Sequence, residues 1–143
     1  MKLLRYGDIG QEKPGVLDSE GNLRDLSNII SDIDGDFLSR GGIDEINKLD
    51  LNALPKVSGS PRLGMPVSGT PKLICIGLNY SDHAKESNMA IPTEPVVFMK
   101  AISSLNGPND DVILPNNSIK GDWEVELAVV IGKKTKKVDE SDA

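Results

Sequence analysis

Alternating polar and apolar residues give the segment 122–132 the clearest strand pattern in the chain. Side chains alternate between the two faces of a strand, so Asp122, Glu124 and Glu126 are predicted to share one face. The other face is apolar and consists of Trp123, Val125, Leu127 and Val129. Residues two apart along a strand lie about 6.6 Å from each other, which lets the carboxylates of Glu124 and Glu126 converge on one point.

Two converging carboxylates admit two interpretations. In a low-dielectric setting the like charges repel each other, and a hard divalent cation removes that repulsion. Carboxylate oxygens are the ligands that Mg²⁺, Mn²⁺ and Ca²⁺ prefer, so Glu124 and Glu126 are candidate metal ligands. The alternative is an edge strand with a solvated acidic face, because exposed glutamate is common. Spacing alone leaves both interpretations open.

Residues 1 to about 30 show a β-rich pattern and begin a small N-terminal module that is predicted to comprise residues 1–60. The segment Lys2–Tyr6 has strand character. Two further apolar runs, Gly15–Asp18 and Leu23–Leu26, flank a turn and predict a hairpin.

Two short helices and a linker are predicted to follow the hairpin. Apolar spacing in residues 27–39 and 41–51 is close to helical. Asp34-Gly35-Asp36 is interpreted as an interruption of the first helix, because a calcium loop would need further ligands and a closing glutamate. Proline and glycine then recur too often between residues 54 and 72 for regular structure. We place a domain boundary near residue 60.

The second part of the chain, residues 61–143, is predicted to begin with a buried strand at Leu73–Ile76. A helix follows Gly77, and Asn79 or Ser81 is a candidate for its N-cap. The segment Val96–Lys100 predicts another strand. Together with the N-terminal module, these elements predict an α+β fold that is mainly β.

Composition narrows the class of protein. The 143 residues carry a net charge of -6, which argues against a nucleic-acid-binding surface. No apolar run approaches the roughly 20 residues of a membrane span, and the N-terminus lacks the apolar segment of a signal peptide. The single cysteine, Cys75, cannot form an internal disulfide. These features predict a cytoplasmic protein with neither nucleic-acid nor membrane partners.

His83 is the only histidine of the chain, and it lies on the helix predicted after Gly77. Glu86 is three residues further on, so the two side chains share a face of that helix. A carboxylate in this position holds an imidazole in one tautomer and stabilises its charged form during acid–base catalysis. The alternatives are a surface or capping histidine and a solvated glutamate. Lys100 is either an ordinary strand-end lysine or a group that offsets negative charge on a substrate.

Three blocks of sequence resemble, in this order, the fumarylacetoacetate hydrolase family. They are residues 76–86 (IGLNYSDHAKE), 95–100 (PVVFMK) and 122–132 (DWEVELAVVIG). The first thirty residues also resemble the small N-terminal module of the bacterial members, so the resemblance covers essentially the whole chain. Those members include ureidoglycolate lyases, 2-hydroxyhepta-2,4-diene-1,7-dioate isomerases and acylpyruvate hydrolases. The resemblance implies a mixed, rolled β-sheet domain and a homodimer.

The resemblance also implies a role for each candidate residue. Glu124 and Glu126 match the two glutamate ligands of the family's metal, normally Mg²⁺ or Mn²⁺ and sometimes Ca²⁺. His83 and Glu86 match the pair that activates water, and Lys100 matches a position near the substrate carboxylate or enolate. A third ligand, an aspartate, lies further downstream in the family. We therefore expect this chain to be the front portion of a longer polypeptide and to be inactive or weakly active alone.

The leading hypothesis is a metal-dependent hydrolase that cleaves a C–C bond of a small 2-oxo or 1,3-dioxo acid. An isomerase, a decarboxylase or a ureidoglycolate lyase on the same scaffold is the first alternative. A truncated, non-catalytic module is the second. Metal-stabilised enolate chemistry is common to all of the enzymes, so fold and metal site alone do not fix the reaction. Substrate specificity is predicted to depend on residues around 87–93 and on residues beyond Ala143.

Overall fold

Three antiparallel strands form the sheet of the N-terminal part of the molecule: β1 (Lys2–Tyr6), β2 (Lys13–Leu17) and β3 (Leu23–Asp25). The coordinates are a computed structural model that describes residues 1–143. The strands lie in the order β1-β2-β3, with Leu3 opposite Val16. The predicted first strand and the predicted hairpin are confirmed.

The chain divides into two compact units. The first unit comprises Met1–Gly69 and Gly107–Ala143, and the second comprises Thr70–Asn106. We call them the N-terminal unit and the ribbon unit. The predicted division into a module of residues 1–60 and a second domain of residues 61–143 stays a prediction.

Both edges of the three-stranded sheet are covered by the segment that the sequence identifies only as a linker. At the β3 edge, Asp25 N–H donates to the Pro55 carbonyl, and Val57 N–H donates to the Leu23 carbonyl, each at 2.9 Å. At the β1 edge, Gly64 N–H donates to the Arg5 carbonyl at 2.9 Å. Residues 55–64 therefore cross from one edge of the sheet to the other, and they satisfy backbone groups that a bare edge would expose.

The core of the N-terminal unit lies between one face of the sheet and two short helices, α1 (Gly35–Ser39) and α2 (Gly42–Asn47). A 3₁₀ turn at Leu51–Ala53 follows them. The longest helix of the structure has six residues, so none reaches across a bilayer. The buried apolar residues of the core are Val16, Leu26, Ile30, Ile33, Phe37 and Ile46.

The helix predicted over residues 27–39 is wrong in its first half. Asp34 does not interrupt a helix; it begins one, because its side chain accepts a hydrogen bond from Phe37 N–H at 2.8 Å. This is the N-cap geometry for which aspartate is favoured. Gly42 starts the next helix against Phe37, where a Cβ would lie 2.2 Å from the ring. The close approach explains why glycine occupies that position.

Two arginines of the sheet are paired with carboxylates on the chain around them. Arg5 binds Asp32 through two hydrogen bonds of 2.7 and 3.0 Å. Arg24 donates to Asp18 at 2.8 Å, and Asn22 N–H donates to the same carboxylate at 2.8 Å. Burial alone would raise the pKa of Asp18, but the hydrogen bonds from Asn22 and Arg24 outweigh it and lower that pKa to about 2.

The ribbon unit is built on two antiparallel strands, β4 (Leu73–Gly77) and β5 (Val96–Lys100), in register from Leu73 opposite Lys100 to Gly77 opposite Val96. The helix α3 (Ser81–Glu86) connects them. Both strands and this helix lie where the sequence predicts them, but β4 contains no buried residue, so the prediction of a buried strand is wrong because no second layer covers it within the unit. The N-cap of α3 is Tyr80 without a side-chain cap bond, so the prediction of Asn79 or Ser81 in that role is wrong.

The strand predicted at residues 122–132 is absent from the structure. Residues 121–132 have no regular secondary structure, and Trp123, Val125 and Leu127 are 91%, 89% and 82% exposed. A strand is stable only when its N–H and C=O groups pair along a neighbouring strand, and neither sheet of the structure includes this segment. The alternating pattern predicts which side chains would share a face if the segment were part of a sheet. It does not predict which strand would pair with the segment. With five strands and three short helices, the fold is α+β and mainly β.

Candidate active site

The first feature of the candidate site is the turn that leads from β4 into α3. Gly77 ends the strand, and Leu78 adopts a left-handed conformation with φ of 51°. Left-handed φ is unfavourable for a residue with a Cβ and is typically found where surrounding structure determines the backbone. Three residues separate β4 from α3, which begins at Ser81.

The helix α3 carries both members of the predicted acid–base pair. His83 and Glu86 lie on it three residues apart and are exposed to solvent, whereas Ala84 between them is completely buried. Ala84 is the only buried residue of the ribbon unit, so it anchors the helix. The structure therefore brings His83 and Glu86 onto one short, solvent-accessible helix. Their catalytic roles stay predictions.

The C-terminal end of α3 is closed by a hydrogen-bonded cap. Asn88 has φ of 52°, and its N–H donates to the Lys85 carbonyl at 3.1 Å. Met89 N–H donates to the Ala84 carbonyl at 2.9 Å. This pair of bonds is the Schellman motif, which satisfies carbonyls at the end of a helix. An asparagine directly after a predicted helix was a usable sequence signal for it.

Lys100 lies at the other end of the ribbon. It pairs with Leu73, whereas the turn into α3 starts at Gly77, four residues along the same strand. Four strand residues correspond to about 13 Å. The structure thus places Lys100 and the helix that carries His83 in one unit but at opposite ends of the β4–β5 ribbon. The role of Lys100 near a substrate stays a prediction.

Glu124 and Glu126 belong to the N-terminal unit and lie in the exposed segment 121–132. Their carboxylates are hard oxygen donors, the kind that Mg²⁺ and Mn²⁺ prefer. The structure contains no group of three or more histidine, cysteine, aspartate or glutamate side chains that could hold a metal ion. The carboxylate oxygens of the two glutamates are therefore suitable donors for a divalent cation. Two carboxylates alone do not complete the coordination of such an ion.

A small cleft in the ribbon unit was missed by the sequence reasoning. It has a volume of about 300 Å³ and lies between residues 76–79 and residues 91–95. The prolines at 92 and 95 show that the second of these segments is irregular, but they do not show that it faces the turn at Leu78. That arrangement follows from the pairing of Gly77 with Val96, which is a tertiary contact.

Comparisons of sequence find relatives that are named as hydrolases. The family model described as Fumarylacetoacetate (FAA) hydrolase C-terminal matches residues 72–143. A 2,4-didehydro-3-deoxy-L-rhamnonate hydrolase of a Sphingomonas species is 53% identical over the whole chain, which covers 48% of that relative. A protein of Burkholderia orbicola that is named as a hydrolase is 57% identical, with 51% of its length covered. The chain spans about half the length of the curated relatives it matches.

Solved structures show the same fold. A fumarylacetoacetate hydrolase from Exiguobacterium antarcticum matches 74% of this chain and 37% of its own, with 30% identity and a TM-score of 0.56. A protein from Mycobacterium smegmatis that is named as HpcE matches 80% of this chain and 41% of its own, with 24% identity and a TM-score of 0.58. The second likeness concerns the fold alone. With a family match over half of its residues, the chain belongs to the fumarylacetoacetate hydrolase family.

Proposed function

We propose that this chain is the histidine-bearing part of an enzyme that hydrolyses a C–C bond in a small 2,4-dioxo acid. One observation carries the proposal: the chain is 53% identical, over its full length, to a hydrolase named for a didehydro-deoxy sugar acid, and its single histidine stands exposed on α3. A 2,4-dioxo acid is an acylpyruvate, and it falls within the 2-oxo and 1,3-dioxo acids that the family resemblance implies.

In the proposed reaction His83 removes a proton from water, and the resulting hydroxide attacks the C4 carbonyl of the substrate. The C3–C4 bond then breaks. One product is a carboxylic acid, and the other is the enolate of pyruvate, which takes up a proton. Glu86 orients the imidazole and stabilises its cationic form. Lys100 offsets negative charge on the carboxylate or enolate of the substrate.

We further propose that Glu124 and Glu126 supply two ligands to Mg²⁺ or Mn²⁺. When bound, such an ion polarises the oxo groups and stabilises the negative charge of the enolate. The chemistry of the two carboxylates supports this assignment, and further ligands are needed to complete the coordination. We also propose that the enzyme is a cytoplasmic homodimer whose partner is a small oxo acid.

The test is a chimera in which this chain replaces the 143 matched residues of the Sphingomonas hydrolase. Pyruvate release from acetylpyruvate in the presence of Mg²⁺ is measured for the chimera, for its His83→Ala variant and for a Lys85→Ala control on the same helix. We expect the chimera and the control to release pyruvate, and His83→Ala to lower the rate by about 10²-fold or more.

Two outcomes would contradict the proposal. Unchanged pyruvate release in His83→Ala would exclude this residue as the base. Decarboxylation of oxaloacetate without hydrolysis of any acylpyruvate would favour the decarboxylase on the same scaffold.

A further inference from the structure

The cleft in the ribbon unit lies directly before the helix that carries His83. One wall is formed by residues 76–79, and α3 begins two residues after Asn79. The other wall is formed by residues 91–95. A volume of about 300 Å³ is at the lower limit of ligand-binding cavities and suits part of a small molecule.

The shape of the first wall depends on Leu78. Its φ of 51° is a conformation that glycine adopts without strain and that leucine adopts against a steric cost. Strained residues of this kind are concentrated at binding and catalytic sites. A leucine at this position adds an apolar side chain to the cleft that a glycine would not.

The lining combines apolar and polar groups. Ile76, Leu78 and Ile91 are apolar, and Ile91 is 63% exposed. Asn79 and Thr93 add an amide and a hydroxyl that can hydrogen-bond to hydroxyl groups of a ligand. Glu94 adds a negative charge. An apolar wall with a few polar groups and one anion favours a neutral ligand and opposes a second carboxylate.

We propose that this cleft binds the acyl group of the substrate, the part beyond C4, and selects neutral, short or hydroxylated acyl groups. The inference rests on the proposed hydrolysis of an acylpyruvate and adds the residues that determine its specificity. Glu94 excludes acyl groups that end in a carboxylate, because two anions in one cleft repel each other. The carboxylic acid formed at C4 leaves from the same cleft.

Binding is tested on the His83→Ala variant of the Sphingomonas chimera by methyl NMR with labelled isoleucine and leucine, with Mg²⁺ present. Acetylpyruvate has a neutral acyl group, and succinylpyruvate ends in a second carboxylate. We expect acetylpyruvate to shift the methyl signals of Ile91 and Leu78. Glu94→Gln is expected to tighten succinylpyruvate binding about fivefold to tenfold relative to any change in acetylpyruvate binding.

Glu20→Gln is the matched control, because Glu20 is an exposed glutamate in the turn between β2 and β3. It is expected to change neither affinity. If acetylpyruvate shifts the signals of other methyl groups but not those of Ile91 and Leu78, the cleft assignment is overturned and the hydrolysis proposal stands. Equal effects of Glu94→Gln on both ligands, or no shift anywhere, would overturn the cleft assignment too. Failure of the hydrolysis proposal is recognised separately, by the absence of turnover in the chimera.

Discussion

Arg62 binds both carboxylate oxygens of Asp110, 48 positions further along the chain, with hydrogen bonds of 2.8 and 2.5 Å. The same guanidinium donates to Glu12 at 2.9 Å and to the Gly7 carbonyl at 3.1 Å. The hydrogen bonds from Arg62 hold the pKa of Asp110 below its ordinary value. This arrangement fastens the turn at Gly107–Asp110 to the sheet of the N-terminal unit.

Replacing Arg62 with lysine is expected to lower the thermal unfolding midpoint of the chain by about 5 °C. Lysine keeps the charge, but it has no planar fork with which to bind two oxygens and a carbonyl together. Circular dichroism during heating measures the midpoint. Arg40→Lys is the control, because Arg40 is largely exposed and forms a surface ion pair with Glu45 at 3.4 Å, which contributes little to stability. Equal midpoints for the wild type and Arg62→Lys would show that the bidentate contact is dispensable.

The hairpin of β2 and β3 is expected to lose stability in acid because of Asp18. Its pKa in the folded chain is about 2, below the ordinary value of 3.8, so the unfolded chain binds a proton more readily. The stabilisation is complete above about pH 4 and is lost as the pH falls towards about 2. Urea unfolding followed by circular dichroism across this range should show the decline.

Asp18→Asn is expected to be less stable than the wild type at neutral pH and to lose less stability in acid. Asp8→Asn is the control, since Asp8 is exposed in the turn after β1. The explanation fails if Asp18→Asn retains the full acid dependence of the wild type.

Asn88→Gly is expected to stabilise α3 by about 0.5–1 kcal/mol, because glycine adopts the left-handed conformation of this cap without steric cost. Asn88→Val should destabilise the helix, since a β-branched side chain resists positive φ. Hydrogen exchange of the Met89 amide, which donates to the Ala84 carbonyl, reports on the cap directly. Asn28→Gly, at an exposed turn position, provides the control. Faster exchange of Met89 in Asn88→Gly would refute the assignment.

Mg²⁺ is expected to raise the thermal midpoint of the Sphingomonas chimera, and Glu124→Gln or Glu126→Gln should abolish the increase. Glu140→Gln, a charge-matched change near the C-terminus, should retain it. The 143-residue chain alone is expected to bind Mg²⁺ weakly, since the structure gathers no three ligating side chains. Tight one-to-one binding to that chain in calorimetry would contradict this expectation.

Local patterns predicted those elements whose own residues carry a clear signal, whatever contacts stabilise them in the fold. A short run of residues and its flanking turns predicted each of these elements, namely β1, β4, β5, the β2–β3 hairpin and α3. The prediction of a helix over residues 27–39 failed because apolar spacing continues across Asp34 without a helix before it. The Asp34 side chain binds a backbone N–H group and therefore caps the start of α1.

Contacts between distant residues account for what the sequence could not reveal. The edge pairing by residues 55–64 and the bidentate bond from Arg62 to Asp110 both depend on the folded arrangement of the chain. The segment 122–132 shows the opposite case, because its alternating pattern predicted a strand that the structure does not form. His83 and Glu86 could be assigned to one helix from their spacing, whereas the cleft beside them required the strand register.

The exposed segment around residues 121–132 gives the molecule an intrinsic spectroscopic reporter. Trp123 is the only tryptophan of the chain, and it lies near the start of this segment with almost its whole side chain in water. A hydrated indole emits at longer wavelength than one in an apolar environment. A blue shift of the tryptophan emission would therefore show that this segment has become packed against another part of a protein. The measurement needs no added label, provided that the other components contain no tryptophan.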